Sequence, residues 1–170
     1  MDPEHTVATS TVPALHLPVS VVGPVDIGRL QREVESIDNF FQAGRLKGDA
    51  EVKLPKTSHL LDQLAEANGI NLSEEDHRQL IAKYLTAVKT KAPRLHMSFS
   101  ADPSTQFIEK LMVWLRREIS PHVLLTIGLQ PSIGAGCVVR TTSKYFDLSL
   151  AKNLTKQSNV LIERLRGGTI

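Results

Sequence analysis

The sequence predicts an α+β fold: an N-terminal helical segment of about three helices, then a small βαβ-β-β domain with a C-terminal helix. Two observations carry that expectation. Up to Pro93 the apolar residues recur at three and four positions, the period of a helix with one buried face. Beyond Pro93 short runs alternate or turn wholly apolar, the habit of strands, and one amphipathic helix separates the first two of them.

Residues 1–23 are rich in Pro, Thr, Ser and Val without periodicity, which predicts a flexible or loosely docked tail. From Asp26, the residues Ile27, Leu30, Val34, Ile37 and Phe41 mark the first helix, with Gly44 as its stop. A polar loop follows. Thr57 or Ser58 then caps a short helix carrying Leu60, Leu61, Leu64 and Ala67, closed by Asn68-Gly69. In "NLSEED" Ser73 is the expected N-cap of a third helix, with Asp76 three residues on. Its apolar face is Leu80, Ile81, Tyr84, Leu85 and Val88, and Pro93 ends it. The helical segment is thus expected over 24–92 and the α/β domain over 93–170.

In "RLHMSFS" the residues Leu95, Met97 and Phe99 alternate with polar ones, a half-buried strand. Asp102-Pro103 predicts a helix start, with Asp102 as the cap. Phe107, Ile108, Leu111, Met112, Leu115 and Ile119 give that helix one wide apolar face. "HVLLTIGL" reads as a second strand, apolar on both faces and parallel to the first. "CVVRTT" and "KYFDLS" read as a further pair of strands turning at Thr142-Ser143. A polar helix carrying Leu154, Leu161 and Leu165 is expected from Leu150.

The net charge is +2, but it is uneven. Residues 21–92 hold 10 Lys/Arg against 11 Asp/Glu, and residues 93–170 hold 10 against 5. No apolar run approaches the roughly 20 residues of a membrane-spanning helix. Asp2 and Glu4 stand where a secretory signal has basic residues, and the single cysteine excludes an internal disulfide. These features predict a cytoplasmic protein.

No enzymatic constellation emerges. Gly134-Ala135-Gly136 lacks the lysine and following helix of a phosphate loop, so its glycines are read as shaping the backbone. Cys137 opens an apolar strand with no second cysteine or adjacent histidine, which suits a packed thiol. The six histidines show no HxxxH spacing, and neither a metal nor a cofactor is expected. Arg116, Arg117, Arg140, Lys144, Lys152 and Lys156 offer one basic face for nucleic acid. Only 5% of residues are aromatic, and the third helix begins with Glu74, Glu75 and Asp76, which argues against base stacking or a DNA-reading helix.

The stretch "PSIGAGCVVRTTSKYFDLS" resembles the C-terminal signature of the delta subunits of F-type ATP synthases, the family of the oligomycin-sensitivity-conferring protein. That signature reads approximately Pro-Ser-Leu-Ile-Gly-Gly, an apolar run with a basic residue, then Asp-Gly-Ser and a terminal helix. Pro131 and Ser132 fall on its Pro-Ser, Gly136 on its second glycine, Arg140 on its basic position, and Asp147 and Ser149 on its Asp-x-Ser. Ala135, Gly134, Leu148 and Gln130 depart from it, standing for a glycine, an isoleucine, a glycine and a common acid. The likeness covers about residues 93–170, and about three helices precede it where the family has six.

The resemblance implies a non-catalytic peripheral-stalk subunit that joins the catalytic head to the stator of a proton-translocating ATP synthase. Its partners would be a helical b-type stalk subunit and the alpha subunits of the head, with membrane association only through them. Pro131, Ser132, Gly134, Gly136, Arg140, Asp147 and Ser149 would then be structural or interface residues. The alternatives are a basic nucleic-acid-binding adaptor and another kind of helix-binding scaffold.

Overall fold

The computed structural model describes residues 15–47 and 53–150. Its elements run α1 (Pro24–Lys47), α2 (His59–Ala67), α3 (Glu75–Lys91), β1 (Arg94–Phe99), α4 (Thr105–Glu118), β2 (Leu124–Leu129), β3 (Gly136–Arg140) and β4 (Tyr145–Ser149), with a 3-10 turn over Pro131–Ile133. This is the expected α+β order of helices and then strands. The C-terminal helix expected from Leu150, with Lys152 and Lys156, lies outside the described residues.

α1 begins where Pro24 supplies a helix-compatible φ and the Asp26 carboxylate accepts from the backbone N–H groups of Val22 (3.0 Å) and Gly23 (2.9 Å). The helix runs past Gly44, which is buried within it instead of ending it. Its stripe Ile27, Leu30, Val34, Ile37 and Phe41 packs with Leu61 and Leu64 of α2 and Ile81, Leu85 and Val88 of α3. Each such side chain contributes roughly 1.5–3 kcal/mol on leaving water.

Ser58 caps α2 as expected, its hydroxyl accepting from the Leu61 N–H. The cap of α3 differs. Glu74, not Ser73, holds the N-cap position, and no side chain bonds to the helix N-terminus there. Asn71 organises the turn instead: its Oδ1 accepts from the Ser73 N–H (3.1 Å), and its Nδ2 donates to Glu74 (2.8 Å). Ser73 contributes its carbonyl, which, like that of Leu72, accepts from Arg78 at 2.9 Å. Arg78 is 2% exposed, ion-paired with Asp38 of α1, and its guanidinium lies 4.5 Å from the Phe41 ring centroid. A buried cation thus ties α3 to α1 and to the turn ahead of it.

The sheet has the order β2-β1-β3-β4. β1 and β2 are parallel around α4, as the strand–helix–strand succession predicts, and β1–β3 and β3–β4 are antiparallel. α4 starts two residues later than expected. Ser104 is its cap, accepting from the Phe107 N–H, and Asp102 stays in the loop. Pro103 lies ahead of the helix, and it is Ser104, with the extended backbone of a cap residue, whose hydroxyl reaches the first turn.

Two differences bear on function. β2 is buried on both faces only at Leu124, which joins the helical core, and Leu125, which joins the sheet core; Thr126 and Leu129 are exposed. The second concerns the segment expected to be a flexible tail. Its described part, residues 15–23, is docked between the two halves. Leu15, Leu17 and Val21 enter the helical core, while Val19 and Val22 pack against the sheet core. The Val22 carbonyl accepts from the Leu125 N–H at 2.9 Å, so the segment lies along the edge of β2. Gly23 permits this approach, since a Cβ there would stand 2.6 Å from the Leu125 carbonyl oxygen. Arg116 of α4 donates to the carbonyls of Leu17 and Pro18, both at 2.7 Å, and to that of Val21.

Candidate partner-binding surface

Successive residues of a strand face opposite ways, so register assigns the sheet two faces. One carries Leu95, Met97 and Phe99 of β1, Leu125 and Ile127 of β2, Cys137 and Val139 of β3, and Phe146 and Leu148 of β4. The other carries His96, Ser98, Thr126, Arg140, Tyr145, Asp147 and Ser149, with Leu124 and Val138 as its buried apolar members. The first is apolar and the second largely polar.

α4 covers the apolar face only in part. Met112 and Leu115 pack onto Leu95, Met97, Phe99 and Leu125. At about 100° per residue, Arg116 and Val113 lie on one flank of that contact, and Phe107, Leu111 and Trp114 on the opposite flank. The Arg116 flank faces residues 17–21 and the β2 edge. The Phe107 flank therefore overlooks β3 and β4. Phe107 meets Phe99 edge-on at 5.8 Å between ring centroids, and Phe99 leads across the sheet to Cys137 and Leu148. The parallel row is Met97, Val139 and Phe146.

The result is an apolar strip, the trough, with Phe107, Leu111 and Trp114 on its helix side and Cys137, Val139, Phe146 and Leu148 on its sheet side. Its large side chains are open: Phe107 is 47% exposed, Trp114 50%, Phe146 46% and Leu148 57%. Contiguous exposure of that kind marks an interaction surface, whereas scattered apolar residues do not. The wide apolar face of α4 is buried only in part, with Phe107 and Ile119 exposed. One sheet covers only part of the helix's apolar arc.

The residues singled out from the sequence shape this surface without lining it. Pro131 and Ser132 form the exposed 3-10 turn, and Gly134 ends it at φ 72°, a conformation that favours glycine. Gly136, at φ 93°, stands opposite Ser149, and a Cβ on it would meet the Leu148 carbonyl oxygen at 2.5 Å. The Asp147 carboxylate accepts from the Ser149 N–H at 3.0 Å, and Ser149 is buried. Arg140 is exposed on the polar face beside the Tyr145 ring, 5.7 Å from its centroid. Register thus brings Gly136 to Ser149 and sets Asp147 on the face of Arg140, while Pro131 and Ser132 stay apart from the trough.

Phe107, Trp114, Phe146 and Leu148 were not singled out as a surface. The signals existed: positions 107, 111 and 114 share a helix face, and Phe146 and Leu148 alternate in β4.

Cys137 is half-buried on the sheet side of the trough, and burial pushes its thiol above the ordinary cysteine range, which suppresses the reactive thiolate. On the polar face Ser98 Oγ and His96 Nε2 are 3.3 Å apart, with Gly128 leaving room for both. Among the described residues no group of three or more His, Cys, Asp or Glu side chains is placed to hold a metal ion. No described helix is long and apolar enough to cross a membrane. No protein-family model matches the chain, and no curated protein does.

Proposed function

We propose that this chain is a non-catalytic scaffold that holds an amphipathic partner helix in the trough between α4 and the β3–β4 hairpin. The trough is the observation that carries the reading. It is apolar, with a helix on one side and a sheet on the other, which suits a helix-in-groove contact. We further propose that the scaffold is a stator-type subunit of an F-type ATP synthase, peripheral to the membrane through its partners, with a b-type stalk helix as occupant. The spacing of Pro131, Gly136, Arg140, Asp147 and Ser149 after a βαβ unit supports that narrower reading. It assigns the chain no substrate and no cofactor. The nucleic-acid alternative loses one of its cations, because Arg116 is turned inward to three carbonyls.

Trp114 is the sole tryptophan and Cys137 the sole cysteine, so both report on the trough. Gentle extraction should recover the chain with ATP synthase stalk subunits. Adding the stalk helix to purified protein should shift Trp114 emission to the blue and slow Cys137 alkylation. Phe146→Asp should abolish both changes while leaving the far-ultraviolet circular dichroism intact. Recovery of a stable monomer without those subunits would remove the stator reading. A helix that binds equally well to Phe146→Asp would remove the trough.

A further inference from the structure

A second concavity lies on the other side of α4, at the junction of the two halves. It is a cleft of about 400 Å³ between Leu15–Leu17, the end of α4 at Arg116 and Arg117, and Pro121–His122. Among the described residues, every titratable side chain lining it is of the cationic kind: His16, Arg116, Arg117 and His122. The carboxylate that touches this rim, Glu118, pairs at the exposed surface with Nε of Arg117 (2.7 Å). The remaining walls, Leu15, Leu17 and Pro121, are apolar.

The charge of Arg116 is the unusual element. Its Nη groups are held by backbone carbonyls, and among the described residues no carboxylate pairs with it. Its buried Nε has no acceptor. Behind it Tyr84, 7% exposed, also has a hydroxyl without a partner, and the Tyr84 ring packs edge-on against that of His122 at 5.7 Å. Loss of solvent lowers the pKa of the Arg116 guanidinium, the mark of a cation short of counter-charge. Charges taken out of water are ordinarily paired with an opposite charge. Arg78 follows that rule through Asp38, and Arg116 does not.

We propose that this cleft binds a small organic anion, a carboxylate or phosphoryl group on an apolar body. The head group would supply the negative charge that Arg116 lacks, seated between Arg117 and His122, and the apolar body would lie along Leu15, Leu17 and Pro121. Because residues 15–17 form one wall, binding would also fasten the segment that joins the halves. The site is independent of the trough and stands or falls without it.

The test uses the full chain with three probes of similar apolar bulk: octanoate, octyl phosphate and octanol. Calorimetric titration should show saturable 1:1 binding of one or both anions, and octanol should bind at least tenfold more weakly. Preference for octanoate or for octyl phosphate would identify the head group. An Arg117→Gln/His122→Gln double variant, which leaves the internal bonds of Arg116 intact, should lose tenfold or more in affinity. Arg116→Gln should lose it too, but that variant alone can fail by unfolding. Absence of anion binding at millimolar concentration to folded protein would overturn the proposal. Equal binding of octanol, or full affinity in the double variant, would do the same.

Discussion

Tyr84 and Arg116 show how two side chains share one desolvated position with different consequences. Burial pushes the Tyr84 phenol up to about 12, against a smaller opposing pull from the nearby Arg116 cation. An unfolded tyrosine titrates near its ordinary value of about 10. Below that pH both states carry the proton and this group adds no pH dependence. Between pH 10 and about 12 the unfolded chain loses the proton first, so stability falls as pH rises. The decline should be on the order of 1–2 kcal/mol, read as the difference in urea midpoint between the native chain and Tyr84→Phe across that window. At pH 7 the same substitution should change stability by less than about 0.5 kcal/mol, because the hydroxyl it removes has no partner. A large loss at pH 7 would mean that the hydroxyl is bonded after all.

At the scale of elements, the start of α4 separates two carboxyl and hydroxyl candidates cleanly. Ser104 accepts from the Phe107 N–H, so Ser104→Ala should cost about 1 kcal/mol in chemical denaturation. Asp102→Ala, in the exposed loop, should stay within about 0.5 kcal/mol. The reverse ranking would restore the cap read from the sequence. "ADPSTQ" offers three capping side chains in four positions, and only the backbone path past Pro103 decides among them. The strands were legible for the opposite reason, since the alternation of Leu95, Met97 and Phe99 is repeated in their burial. The helix stripes of α1 and α3 were equally plain, although Arg78 hid among polar neighbours while sitting fully inside. Half of the trough was legible. Its apolar wall on α4 was visible, but periodicity cannot say how much of an apolar arc a neighbouring sheet covers.

For the whole molecule, residues 15–23 decide whether there are two modules or one. Leu15, Leu17, Val19 and Val21 alternate with His16, Pro18 and Ser20, but Pro18 within that run hides the strand-like period, and each apolar residue finds its partner only in the assembled fold. Gly23→Ala tests the anchor directly. Its methyl group would collide with the Leu125 carbonyl, and the segment would have to lift from β2. We expect a loss of roughly 1–3 kcal/mol together with faster hydrogen exchange at the Leu125 amide. Exchange at Leu125 that stays as slow as in the native chain would show that the segment does not need that approach.

The bonds from Arg116 to Leu17 and Pro18 span 99 and 98 residues of chain. Closing so long a loop is slow compared with winding a helix, because chain entropy is lost before the contact forms. During synthesis, residues 15–23 emerge well before α4 and β2 and wait for them before their carbonyls and valines find partners. The helical half can therefore condense early, but it stays incomplete at Leu124 until β2 has been made. Refolding should accordingly reach its last step at this seam, where residues 15–23 settle against α4 and β2.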